Sequence, residues 1–539
     1  MGLHRKLHAL LFGCGVLCMV VFACAVDVAA QSRPSKSPSS RSVVTGVQPA
    51  ERADVARFRQ RVERALSASG PDKGFWGVQV TDAATGEVLY ARNAGYYFTP
   101  ASDAKLFTTA LALATLGPEY RVRTTISTTG TLDANGLLSG DLVLTGRGDA
   151  NLSNRKFPYE RKVEHDGPPE KALAALADAV VARGVKEIEG GVIADDSLFQ
   201  LERFPSGWTI DDMLWSYGAA VSAVAVNDNT FALELRPGER EGDAAKFTVE
   251  PASDFYTIEN SVHTGAHGSE EKLAVAREPG SRTIRVSGTM PAGAQTRRLT
   301  IAIEEPAEYA AALLTRLLEA RGIGIHRVAG ARHAGDPAIS GAHGSAETVL
   351  AERLSEPLAE EIRHVNKNSL NLHAELLLLL AAHQKSGATT REEALKFAAD
   401  FYKAAGIADG DVVLSDGSGL SRRDLVTPRA IVQILNYAAA QPWGEIYRSS
   451  LPIAGEDGTL SERMKNTAAE GHIFAKTGTV EHVVALSGYA TTSQGAHLIF
   501  SILGNNNSLH AQAADAVLDA IAVAMVEELG PPQLRKRKK

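Results

Sequence analysis

Cysteine is almost missing: the 539 residues hold three, and all of them (Cys14, Cys18 and Cys24) fall in the first two dozen positions. A chain processed near Gln31 carries none, which excludes disulfides, a thiol nucleophile and a cysteine-bound metal site. An excess of positive charge is missing as well. Lys and Arg number 56 against 63 Asp and Glu, a formal net charge of -7, so there is no electrostatic footprint for nucleic acid. The run Arg535-Lys536-Arg537-Lys538-Lys539 is the one basic cluster at the tail, and it reads as a solvated end. No internal repeat at a solenoid period is visible, and no Gly-x-Ser-x-Gly elbow that would announce a Ser-His-Asp arrangement.

What is present begins at the N-terminus. His4-Arg5-Lys6 precedes an uncharged apolar run from Ala9 to Val26, and Val28-Ala29-Ala30 offers small residues before Gln31. This pattern predicts a signal peptide over 1–30 and an exported protein of the periplasm or cell envelope. An uncleaved anchor and peripheral membrane contact are the other readings of the same run. Val21-Phe22-Ala23-Cys24 only loosely suggests lipoprotein processing, because Phe22 is bulky. Residues 31–50, rich in Ser, Pro, Arg and Lys, read as a linker.

The body of the chain is ordinary globular material, 44% hydrophobic and 22% charged. Val55, Phe58, Val62 and Leu66 recur at helical spacing, and Trp76–Val80 alternates as a strand before a turn and a return over Glu87–Tyr90. A buried helix is predicted just after Pro100, with Gly117-Pro118 ending it. The texture then turns to short strands until about residue 305. Helical patterns follow at 307–321, 358–383, 391–405, 428–440 and 509–528, with strands around Lys476 and over 483–503. The fold class is α/β (α+β): a domain built from both chain ends, 51–122 and 348–530, interrupted by a strand-rich insert. The insert divides into 123–205 with 325–347 and a nested part, 206–324; a basic tail over 531–539 closes the chain.

Three short motifs occur in order: Ser102-Asp103-Ala104-Lys105, Ser369-Leu370-Asn371 and Lys476-Thr477-Gly478. Each tripeptide or tetrapeptide alone is weak. Ser-x-x-Lys recurs at Ser153–Lys156 and Ser269–Lys272, and Lys-Ser-Gly recurs at Lys385–Gly387. Context separates them. Ser102 opens a long apolar helix, which puts its hydroxyl at the positive end of the helix dipole and carries Lys105, one turn on, into a protected site. The other two serines stand in polar stretches where a lysine stays solvated, and Lys385–Gly387 reads as a helix stop. A serine is a weak nucleophile until a base removes its proton, and lysine is the available base here. Burial and a second cation, Lys476, would both depress the pKa of Lys105. Lys476-Thr477-Gly478 reads as part of a strand, with Gly478 letting a ligand approach the backbone.

On these motifs, and on Gly140-Asp141-Leu142, Asp416–Ser421, Gly455–Thr459 and Ser487-Gly488-Tyr489, the chain resembles the low-molecular-mass class C penicillin-binding proteins, the D-alanyl-D-alanine carboxypeptidase/endopeptidase family. The similarity runs from about 55 to 528, and the large insert between the first two motifs is also that family's mark. Leu370 departs from it, since relatives often carry a polar residue there. The resemblance implies a penicillin-recognising serine transpeptidase/β-lactamase-like domain that cleaves peptidoglycan stem peptides through a Ser102 acyl-enzyme. It implies β-lactam antibiotics as covalent inhibitors, with no cofactor and no metal. It further implies that the backbone N–H groups of Ser102 and Thr479 form an oxyanion hole, with Ser369 relaying a proton to the leaving amine under the influence of Lys476. Asn371 would hold the substrate amide, and Thr477, Gly478 and Thr479 with Lys476 would line the terminal-carboxylate site. Asp212, in the insert segment Gly207–Asp212, is the candidate acid near the amino end of the stem peptide, although helix capping explains it equally well.

Two rivals share part of this evidence. A serine β-lactamase has the same motifs, but the large insert speaks against it, as does the expectation that no Glu-x-x-x-Asn segment activates a deacylating water. A catalytically silent penicillin-binding sensor is opposed by intact Ser102, Lys105 and Lys476.

Overall fold

The computed structural model describes residues 52–336 and 347–531. The predicted signal peptide, the 31–50 linker, Cys24 and the basic run at 535–539 lie outside the described residues, as does 337–346 of the insert.

Both chain ends build one antiparallel sheet of five strands, in the order Val88–Arg92, Phe75–Asp82, His497–Asn505, Val483–Thr491, Ile473–Val480. The first hairpin turns where the Asp82 carboxylate accepts the N–H groups of Ala84 (3.1 Å) and Thr85 (2.8 Å), the usual way an aspartate replaces a backbone partner in a tight turn. Alternation along the strands divides the two faces. Val484, Leu486, Phe500 and Ile502 face a layer formed by helices Ala53–Leu66 and Ala511–Glu528. Ala485, Tyr489, Ile499 and Leu503 face the helical layer that carries the site. In that layer helix Ala104–Leu116 is buried on every side from Ala104 to Leu113, and helix Asn371–Ser386 from Leu372 to Ala382. Such all-round burial is why neither sequence shows a polar stripe.

Strand Ile473–Val480 is one of the two edge strands of the sheet. Pro452–Ala454 covers its first half: the Ala475 N–H donates to Pro452 O at 2.9 Å, and the Ala454 N–H to Ile473 O at 3.0 Å.

The chain leaves this body along Arg123–Thr128 and returns along Thr348–Leu354. The two strands pair antiparallel, with Leu354 opposite Arg123. Between them lies a second core. Strands Leu142–Thr145, Val192–Asp195 and Gly330–Arg332 run parallel to one another. Further on, Thr230–Arg236 joins Lys246–Glu250 and Arg297–Ala302, and Thr283–Pro291 joins Thr257–Gly265 and Lys272–Ala276, in two three-stranded sheets. Helix Pro306–Glu319 packs against the parallel strands through Leu314 and Leu318. Among the described residues no helix is long and apolar enough to cross a membrane.

The helical pattern over 358–383 resolves into two helices, Leu358–Lys367 and Asn371–Ser386, the second opening at the Ser-x-Asn motif. The break contains Ser369 at φ 59°, a left-handed conformation unusual for serine.

Candidate active site

Ser102 lies in the short 3-10 turn Ala101–Asp103 that feeds directly into helix Ala104–Leu116. Ala101, just before it, has φ 48°, so the serine is presented from a strained backbone. Two glycines make room for that turn. A Cβ on Gly419 would meet Ala101 O at 1.8 Å, and one on Gly478 would meet Pro100 O at 2.7 Å. Gly478 was expected to admit a ligand; the group it admits is the backbone that carries Ser102.

Lys105 is fully buried. Its Nζ lies 2.8 Å from Ser102 Oγ, 2.6 Å from Asn371 Oδ1 and 2.7 Å from the Ser418 carbonyl. Burial, and after it the charge of Lys476, push the Lys105 pKa well below the ordinary lysine value. A neutral amine keeps one lone pair, and Ser102 stands where it can donate to it. Lys476, also fully buried, donates from Nζ to Ser369 Oγ (2.9 Å) and to the Thr477 carbonyl (2.7 Å). Burial lowers its pKa too, while the charge of Asp103 opposes that fall. Asp103 is enclosed beside them, and neither of its oxygens has a hydrogen-bond partner.

One cleft of about 610 Å³ brings together Ser102, Ser369, Asn371 and Thr479 with Asp211, Asp212, Tyr217 and Arg422. Thr477 is buried behind it, its hydroxyl 2.7 Å from that of Thr459. Asp212 is at the wall but largely engaged: Oδ2 accepts the Thr209 N–H (3.0 Å) and hydroxyl (2.8 Å), and Oδ1 lies 4.0 Å from Arg422. Asp211 is exposed in the same cleft.

The sequence missed several contributors. Asn371 Nδ2 donates to the Tyr217 carbonyl at 2.7 Å, so the insert touches the second motif directly. The Ser418 carbonyl that meets Lys105 is held by Asp416, whose carboxylate accepts the N–H groups of Ser418 (3.1 Å), Gly419 (2.6 Å) and Ser421 (2.7 Å) and the Trp208 indole (2.8 Å). Arg422 follows that stretch by one residue, and this adjacency was the available signal. Of the recurring motifs, Gly387 is the left-handed C-cap (φ 75°) of its helix, while Ser269 and Lys272 are exposed.

A Glu-x-x-x-Asn string does occur between the second and third motifs, at Glu462-Arg463-Met464-Lys465-Asn466, contrary to expectation. Its position removes it from the chemistry. Glu462 is exposed and pairs with Lys465, while Arg463 binds Asp515 and Asp519 on the helix behind the sheet.

A serine held by a buried lysine, facing a second lysine on a sheet edge with a Ser-x-Asn turn between them, defines the class of penicillin-recognising serine enzymes. The comparisons specify the branch. The D-Ala-D-Ala carboxypeptidase 3 (S13) family model matches residues 59–527. A D-alanyl-D-alanine carboxypeptidase of Actinomadura sp. (strain R39) is 35% identical over 491 residues, covering 89% of this chain and 86% of the relative. The carboxypeptidase DacB of Mycolicibacterium smegmatis is 27% identical, with 97% of each chain covered. The crystal structure of penicillin binding protein 4 (dacB) from Haemophilus influenzae superposes with a TM-score of 0.73 at 24% identity, covering 87% of this chain and 98% of that one, and supports the fold. The chain belongs to the D-Ala-D-Ala carboxypeptidase 3 (S13) family, and it is a hydrolase of the D-alanyl-D-alanine carboxypeptidase type.

Proposed function

We propose that the chain removes the terminal D-alanine of peptidoglycan stem peptides through an acyl-enzyme on Ser102, and that penicillin acylates the same oxygen. The observation that carries this reading is the 2.8 Å contact between Ser102 Oγ and a Lys105 amine whose pKa is driven down by burial. Neutral Lys105 takes the serine proton as Oγ attacks the carbonyl of the penultimate D-Ala. The N–H groups of Ser102 and Thr479 receive the oxyanion, an interaction worth about 3 to 4 kcal/mol per donor in such sites. The proton then passes to the leaving amine through Ser369, whose hydroxyl accepts from Lys476 and is thereby polarised. Asn371, pinned between Lys105 and Tyr217, presents its amide to the peptide backbone. Lys476 offsets the charge of the terminal carboxylate at the sheet edge while the Thr477 and Thr479 hydroxyls donate to it, and Gly478 lets that edge approach the serine turn. Asp211, Asp212 and Arg422 face the amino end of the stem peptide. Water completes the turnover. Cleavage of cross-linked dimers uses the same chemistry, because that bond also follows a D-Ala carbonyl.

Export to the cell envelope and removal of residues 1–30 belong to the same reading, supported by the charge and apolar pattern of the N-terminus. Two experiments test the proposal. Mass spectrometry after penicillin treatment gives one adduct on Ser102 and none on Ser102→Ala, and a peptide ending in D-Ala-D-Ala releases D-alanine only with intact Ser102. An adduct on another residue, or D-alanine release by Ser102→Ala, refutes it. Rapid multiple turnover of a chromogenic cephalosporin would favour the β-lactamase reading instead.

A further inference from the structure

Behind the second motif lies a buried ionic chain that the chemistry above does not use. His373 stands four residues after Ser369 and two after Asn371, and it is 1% exposed. Its Nδ1 is 2.6 Å from Glu361 Oε1, and its Nε2 is 2.9 Å from Asp228 Oδ1. Glu361 belongs to helix Leu358–Lys367 and His373 to helix Asn371–Ser386, so the first contact bridges the break that contains Ser369. Asp228 comes from the insert, from three successive residues, Asn227, Asp228 and Asn229, all with φ between 50° and 55°. Arg155 in turn grips Asp228 through Nε (3.2 Å) and Nη2, and Asn151 donates to Glu361.

A non-glycine residue stays in the left-handed region only where its surroundings over-determine it, at a cost of about 1–3 kcal/mol. At Ser369 the surroundings include Lys476 on the hydroxyl and the imidazole that ties the flanking helices together. We propose that His373, as an imidazolium donating to Glu361 and Asp228, is a positioning residue that locks the Ser369–Asn371 turn and lets the inserted region set its geometry. This inference rests on the acyl-enzyme reading of Ser102 and adds a residue to it.

The protonation state fits the geometry, because two carboxylate acceptors require two N–H donors. Burial disfavours the charged ring, but Glu361 and Asp228 outweigh it and raise the pKa to about 9. The other charged or titratable neighbours are Arg155 with Glu164, Asp149 with Arg353, and His364, whose own pKa is lowered by burial. The folded pKa lies above the ordinary 6.5, so the lock is complete at neutral pH and is lost as pH rises through about 9.

Penicillin acylation of the full chain, resolved into the binding constant and the acylation rate constant and followed across pH, tests this. Asp228→Asn keeps a residue that tolerates the left-handed turn and removes only the charge. It should slow acylation by about 10- to 100-fold with binding little changed, the scale of a small misplacement in an active site, and its alkaline decline should begin at lower pH than in the parent. His373→Lys, which keeps a cation, should recover part of the rate that the better-shaped His373→Gln loses. Thermal unfolding of each variant reports the folded fraction. Unchanged rate and pH profile in Asp228→Asn, Gln equalling Lys, or a loss no greater than the unfolded fraction would each overturn the proposal. The Ser102 adduct of the parent protein tests the function separately, so failure of one is not mistaken for failure of the other.

Discussion

Two buried lysines with depressed pKa values fix the pH behaviour at the scale of single residues. The proposed base, Lys105, works neutral, and Lys476 works charged. Penicillin acylation should therefore rise with pH as Lys105 loses its proton and fall as Lys476 loses its own, a fall that loss of the His373 proton then steepens, with the limbs below the ordinary lysine value of 10.5. A stopped-flow profile whose limbs sit at 10.5 or above contradicts this. Lys105→Gln should cost about 10²–10⁴ in acylation rate, the usual share of a general base, while leaving the unfolding temperature within a few degrees. These residues are legible in the sequence because their chemistry needs fixed local spacing: a lysine one turn from a serine, a glycine after Lys-Thr. The roles of Tyr217, Ser418 and Thr459 are not legible, although the last two fall in stretches that carry the resemblance, because two of them act through carbonyl oxygens and all three arrive from distant segments.

Among the elements, helix Asn371–Ser386 is held from beneath by a buried carboxylate. Glu375 accepts from Arg391 and from the Gly417 N–H at 2.8 Å, and so positions the loop whose Ser418 carbonyl meets Lys105. Arg391→Met leaves that carboxylate without its cation, and breaking such a pair costs about 3–5 kcal/mol. Chemical denaturation should show that loss, with acylation slowed in the fraction that remains folded; a loss below 1 kcal/mol would mean that Glu375 is kept protonated, the direction in which burial already drives it. The helices of this layer were readable from their apolar runs, and their ends from glycine and proline. The left-handed conformation of Ser369 was not, because nothing from His364 to Leu372 is glycine. A tertiary contact, Lys476 on its hydroxyl, meets it from a distant strand.

The insert, taken with the whole molecule, closes one wall of the cleft through Thr209, Asp212 and Tyr217, meets the Asp416 loop at Trp208 and meets helix Asn371–Ser386 at Asp228. A covalently bound penicillin occupies the cleft between the two parts only while both are folded. Its acyl complex should therefore melt about 1 °C higher for each kcal/mol gained, with no shift in Ser102→Ala. Calorimetry that finds no shift would mean the insert does not close on the ligand. The strand-rich character of the insert was plain in the sequence. Its shared core was not, since helix Pro306–Glu319 packs on strands whose sequence positions lie on both sides of it. The proposed boundaries at 123 and 347 rest on the same change of texture.

The edge strand has a further consequence. Pro452–Ala454 occupies the outward hydrogen-bonding row at Ile473 and Ala475, and Lys476 takes the Thr477 carbonyl, so the row is next open at the Thr477 N–H and at Thr479. A peptide docking there would extend a strand the protein has already begun and could slide no further along it. The chain thus carries its own ruler, which sets a ligand's register by main-chain geometry and leaves side-chain pockets to decide which ligand is held.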